Sequence, residues 1–144
     1  RGMPVNRDSM NHVGEGLRAE HGASYILETL YDRAVKEGGD VIIESIRTVG
    51  EVEAMRKRGM KLLALDADPK TRYERARERG TETDAVSFEK FLSDEERESQ
   101  GDDPARMNLR HCIQMADFVI DNKGTLEELY AKIEDVLSKL QSKK

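Results

Sequence analysis

Apolar residues along this chain fall into short unbroken bursts, separated by longer charged stretches in which they recur at helical spacing. Val41-Ile42-Ile43, Leu62-Leu63-Ala64-Leu65 and Phe118-Val119-Ile120 are the bursts, the bodies of short strands expected at 41–45, 61–66 and 117–121, the first of them buried on both faces. The stretches between them carry helix signals. Asp8 is a cap for a helix over 9–20, and a second helix over 24–36 carries Ile26, Leu27, Leu30, Tyr31 and Ala34 as a stripe. Thr48 and Glu51 form a T-x-x-E capping box for a helix over 49–58, with Val52 and Met55 turned inward. Asp68 followed by Pro69 opens a helix that runs to Arg79 and Gly80. Thr125 and Glu128 make a second capping box, opening a last helix with a continuous apolar face from Leu126 to Leu140.

Strands that alternate with helices predict an α/β fold with a parallel sheet, here of three strands flanked by helices, within one domain over 1–144. The central strand is expected at 41–45, delivering Glu44 at its carboxyl end and Arg47 three positions later. The 81–110 stretch is polar, is broken by Gly101-Asp102-Asp103-Pro104, and lacks the apolar residues for a core of its own. It reads as a mobile helical flap.

Composition narrows the class. Hydrophobic and charged residues each make up 37% of the chain, which suits a protein rich in exposed helix. A net charge of -5 argues against a broad nucleic-acid surface, which is normally basic. Cys112 is the single cysteine, so no internal disulfide forms, and a reducing, cytoplasmic setting is expected. No apolar run approaches the ~20 residues of a membrane span. The chain opens on Arg1 rather than Met, so a natural N-terminus is expected upstream.

The candidate chemistry is cationic. Arg72, Arg75 and Arg79 fall on roughly one face of the helix after Pro69, a stripe suited to neutralising phosphate charge. The plainer reading is a solvated face whose arginines pair with Glu74 and Glu78. Glu44 could hold Mg²⁺ or accept a proton, or be only an exposed acid; Arg47 could pair with it or clamp a phosphate. His12, His21 and His111 lack metal-ligand spacing, and no G-x-S-x-G, H-E-x-x-H or C-x-x-C occurs.

Taken together, four stretches resemble the P-loop nucleoside-monophosphate-kinase-like family, near its dephospho-coenzyme A kinase and archaeal adenylate-kinase-like members. Residues 41–47 resemble the strand of that family's second motif, and 66–75 its passage from strand to lid helix. Residues 87–98 resemble its lid, and 116–125 its last strand and the turn that borders adenine. The resemblance implies ATP-dependent phosphoryl transfer to a small nucleotide-like acceptor, dephospho-coenzyme A or a nucleoside monophosphate. It implies ATP and Mg²⁺ as cofactors, with Glu44, Arg72 and Arg75 catalytic and Glu44 the metal ligand. Arg18 and Arg47 would bind the acceptor, and Asn122, Lys123 and Gly124 would border the adenine.

The family's first strand and its G-x-x-x-x-G-K-[ST] loop are missing. Their absence would leave a gap of ~10 Å in the sheet at ~4.8 Å per strand. The parent protein would then be the enzyme, with this chain alone inactive, or the sheet edges would pair with a second copy. The alternative is a non-catalytic module that binds nucleotide or a partner protein.

Overall fold

The computed structural model describes residues 2–4, 7–80 and 86–141. Expectations for 81–85, the start of the flap, and for 142–144, the fraying end, lie outside the described residues.

The order is α1 (Arg7–His21), α2 (Tyr25–Glu37), α3 (Val49–Lys57), β1 (Leu63–Asp66), α4 (Pro69–Arg79), α5 (Phe88–Arg97), α6 (Leu109–Gln114), β2 (Phe118–Asp121) and α7 (Leu126–Gln141). The chain is therefore helix-rich α/β, with a small parallel sheet. No helix among the described residues is long and apolar enough to cross a membrane.

The local signals act as their chemistry dictates. Thr48 Oγ1 accepts from the Glu51 N–H at 3.2 Å while the Glu51 carboxylate accepts from the Thr48 N–H at 3.1 Å, completing the capping box of α3. Thr125 and Glu128 make the same reciprocal pair at the start of α7. Asp8 lies inside the first turn of α1 rather than before it, where its charge suits the helix dipole.

Among the described residues two strands form, not three. β1 and β2 are parallel, with Leu63 opposite Phe118 and Asp66 opposite Asp121. Residues 41–47 are irregular, and only Thr48 makes a bridge, an antiparallel one to Met107. A strand needs a neighbour to take its N–H and C=O groups, and the described residues supply none beside this run. Ser45 adopts φ 66°, which breaks the extended path. Ile42 is consequently 92% exposed, while Ile43 and Ile46 turn inward onto the core.

That core is the packing of α2 on α3. Leu27, Ala54 and Met55 are buried together, with Ile43, Ile46, Met60 and Leu62 against them. Of the stripe expected on α2, Leu27 alone is buried and Leu30 is exposed. Gly50 lets α3 come close: its N–H donates to Pro104 O at 3.0 Å, and a Cβ there would stand 2.5 Å from Ala23 Cβ.

The segment expected to be a mobile flap is packed down across 86–110. Phe91 is buried, and its ring and that of Phe88 lie 5.5 and 5.1 Å from Tyr73 on α4. Met107 and Glu98 are buried as well. Few apolar residues suffice because charged side chains make up the rest of the attachment.

Candidate phosphate-binding rim

Because β1 and β2 are parallel, their carboxyl ends share one rim, marked by the paired residues Asp66 and Asp121. Crevices outside such ends are where open α/β sheets take ligands. Beyond β1, Asp68 caps α4 by accepting from the Thr71 N–H at 3.0 Å and its hydroxyl at 2.8 Å. These donors hold the Asp68 carboxyl below its ordinary pKa. Pro69 then starts the helix.

One turn into α4, Arg72 reaches back to the rim. Its Nη1 donates to Asp66 Oδ1 at 3.2 Å and to Ala67 O. Its Nε and Nη2 donate to Glu95 Oε1 and Oε2 at 2.8 and 2.7 Å, a two-pronged fork on one carboxylate. The hydrogen bond to Glu95 raises the Arg72 pKa above its usual value, against the opposing effect of burial. The guanidinium is charged at every accessible pH.

Arg75 stands beside it and addresses the turn after β2. Its Nη1 and Nη2 donate to Asn122 O at 2.5 Å and Gly124 O at 3.0 Å. Asn122 N–H is itself tied to Asp66 O at 2.7 Å, and Lys123 Nζ lies 3.6 Å from Asp121. At Gly124 the Glu128 carboxylate that caps α7 occupies the space a Cβ would take, so a larger residue there would displace that carboxylate. Thus Arg72, Arg75, Asn122, Lys123 and Gly124 stand along one rim. Arg77, outside the stripe, lies 5.9 Å over the Tyr73 ring.

Arg18 and Arg47 form a second group. Both meet Glu51: Arg18 Nε and Nη2 donate to Oε1 at 3.3 and 3.1 Å, and the Arg47 N–H donates to Oε2 at 3.1 Å. The Arg47 guanidinium pairs with Glu98 Oε2 at 3.2 Å, and Asn11 of α1 also reaches Glu98. Arg18 and Glu51 are both buried. The two arginines expected to hold an acceptor are therefore neighbours, and they pin α1 and α5 to α3.

Glu44 does not join either group. It is exposed in the irregular 41–47 segment, and has no hydrogen bond or ion pair among the described residues. No group of three or more His, Cys, Asp or Glu side chains among the described residues could hold a metal ion.

A cleft of about 830 Å³ opens elsewhere, between α1, the end of α5 and the loop at Arg106 and Met107. Its walls mix signs, with Asp8, Glu15 and Glu96 against Arg97 and Arg106. The Arg97–Asp8 pair at 3.2 Å spans it. Neither Arg72 nor Arg75 lines it.

Glu95 and Glu98 are the participants that motif reading passed over, and Glu51 was read only as a cap. Their signal is only a carboxylate among many, since each meets its arginine at a separation no local pattern encodes.

The chain is similar to a set of archaeal proteins. It is 30% identical over 149 residues to UPF0200 protein MJ1399 of Methanocaldococcus jannaschii, covering 97% of this chain and 70% of that one. It is 30% identical to UPF0200 protein PH1008 of Pyrococcus horikoshii, covering 99% and 77%. A UPF0200 protein of Staphylothermus marinus is 29% identical over 140 residues, covering 96% and 71%. No family profile and no solved structure matches the chain. These relatives correct the resemblance to the P-loop nucleotide kinases: the likeness is to UPF0200 proteins, not to members of that family. Of the four stretches that carried the resemblance, 41–47 is not a strand, and Glu44 ends no sheet among the described residues.

Proposed function

The chain belongs to the UPF0200 family, and from that footing we propose that it binds the phosphate groups of a nucleotide-like small molecule at the β1–β2 rim. In this reading the whole protein uses the rim for ATP-dependent phosphoryl transfer to a small acceptor. The observation that carries it is the position of Arg72, a planar fork delivered to the shared carboxyl end of two parallel strands. Such transfer depends on placing cations around spread phosphate charge. Arg72 would meet phosphate oxygens, Arg75 would hold the 122–124 turn in shape, and that turn would border the base.

A second reading is favoured by a specific observation. Arg18, Arg47, Arg72 and Arg75 are all engaged inside the chain, as they would be in a binding module that performs no chemistry.

Calorimetric titration with ATP and inorganic pyrophosphate tests the shared premise. Binding that weakens with added salt and with Arg72→Ala supports the rim; absence of binding to either compound refutes it. A coupled assay of ADP release, run over nucleoside monophosphates and dephospho-coenzyme A, then separates the two readings. ADP released only with an acceptor present marks the enzyme, and tight binding without release marks the module.

A further inference from the structure

We propose that Glu95 is a built-in competitor for the phosphate site, an internal carboxylate that must leave the fork of Arg72 before a polyanion can occupy it. The inference rests on the phosphate-binding reading above and adds its regulation.

The Arg72 guanidinium is divided between two tasks. One edge, Nη1, is fixed to Asp66 and to the Ala67 carbonyl. The other edge, Nε with Nη2, is the pair of parallel donors that recognises two oxygens of a phosphate or a carboxylate. Glu95 fills that edge at 2.8 and 2.7 Å. If Glu95 swings out, Asp66 and Ala67 still aim the guanidinium at the rim, and its recognition edge is open.

The same helix end treats other arginines likewise. Glu98 takes Arg47 and Glu96 takes Arg110. The carboxylates differ in how exchangeable they are. Glu98 is buried and also bound by Asn11, which makes it a fixed part of the packing. The Arg72–Glu95 pair is 35% and 22% exposed, so water can take up either partner at modest cost. The body of α5 stays in place through Phe91 and the Tyr73 ring contacts. The switch is therefore a side-chain movement and not a movement of the helix.

Pyrophosphate binding by the chain and by Glu95→Gln, Glu96→Gln and Arg72→Ala variants tests this. Glu96→Gln removes the same charge one residue away, from a carboxylate paired with Arg110 and not with Arg72. The expected result is that Glu95→Gln binds about fivefold tighter than the unaltered protein, the scale of one partly exposed ion pair. Glu96→Gln should shift affinity less, and Arg72→Ala should bind weakest. The Arg72 side-chain N–H resonance should also move on titration, as its acceptor changes from carboxylate to phosphate. If Glu95→Gln binds equally or more weakly while Arg72→Ala still abolishes binding, the competitor is refuted and the phosphate site stands. Equal gains from Glu95→Gln and Glu96→Gln would show general charge reduction and refute it too. If neither the unaltered protein nor Glu95→Gln binds, the phosphate reading itself has failed.

Discussion

Arg18 of α1 and Glu51 of α3 form a buried ion pair 3.1 Å long across 33 residues of sequence. The same carboxylate caps α3 through the Thr48 N–H and takes the Arg47 N–H. One side chain thus closes a helix end, seats a loop and neutralises a buried cation. Arg18→Ala leaves Glu51 buried without its countercharge, and is expected to cost about 3–5 kcal/mol. Urea denaturation measures it directly. In a double-mutant cycle, Glu51→Gln combined with Arg18→Ala should be less harmful than the two single losses added.

At the rim, the geometry of Arg72 matters beyond its charge. Arg72→Lys keeps the positive charge but loses the fork shared by Asp66 and Glu95. Its pyrophosphate affinity should fall close to that of Arg72→Ala. Retention of full affinity by the lysine variant would show that charge alone suffices.

Asp117 links stability to pH. Burial raises its pKa, but the Leu62 N–H at 3.0 Å and Lys61 at 3.1 Å outweigh this and hold it below the usual carboxylate range. The folded chain therefore binds this proton less readily than the unfolded chain does. The resulting stabilisation is fully present above the unfolded pKa of about 4 and is lost as pH falls through the lower folded value. Asp117→Asn should flatten the decline in denaturant midpoint on acidification over that window, with little residual slope from this site.

Cys112 should be a slow thiol. It is buried in α6, and that burial, with the Glu51 carboxylate adding to it, pushes its pKa up to about 11. Since the thiolate is the reactive form, modification by a disulfide reagent at neutral pH should be far slower than for free cysteine. It should accelerate sharply in denaturant. Rapid labelling of the folded chain would contradict the placement.

Gly50 tests the approach of α3 to the 23 and 104 regions. Gly50→Ala puts a methyl 2.5 Å from Ala23 Cβ and 3.1 Å from Pro104 O. Neither neighbour is the end of a flexible side chain, so about 1–3 kcal/mol of stability should be lost despite alanine's better helix propensity. A thermal melt of the single variant is sufficient to measure it.

The helix starts were the legible part of this chain. Thr48 with Glu51, Asp68 with Pro69, and Thr125 with Glu128 act within one turn, so the sequence states them in full. β1 and β2 were legible too, each shortened at its start. The run at 41–45 failed because an apolar, β-branched burst specifies a strand only if another strand lies beside it. That neighbour is a long-range fact. The candidate site divides the same way. Arg72 and Arg75 were singled out from their shared helix face, and Arg75 does reach the 122–124 turn. Their occupation by Glu95 and by backbone carbonyls was not legible, since α5 is placed by Phe91 and by ion pairs between distant residues.

The β1–β2 pair has a kinetic corollary. Its two strands are parallel and are joined through α4, α5 and α6, so no hairpin can bring them together early. Closing so long a loop costs entropy before any strand hydrogen bond repays it. The helices of the α2–α3 core can therefore dock first, and the rim that carries Arg72 is assembled among the last native contacts. In pulsed deuterium labelling during refolding, the amides of Leu65 and Ile120 should gain protection after those of Leu27 and Met55.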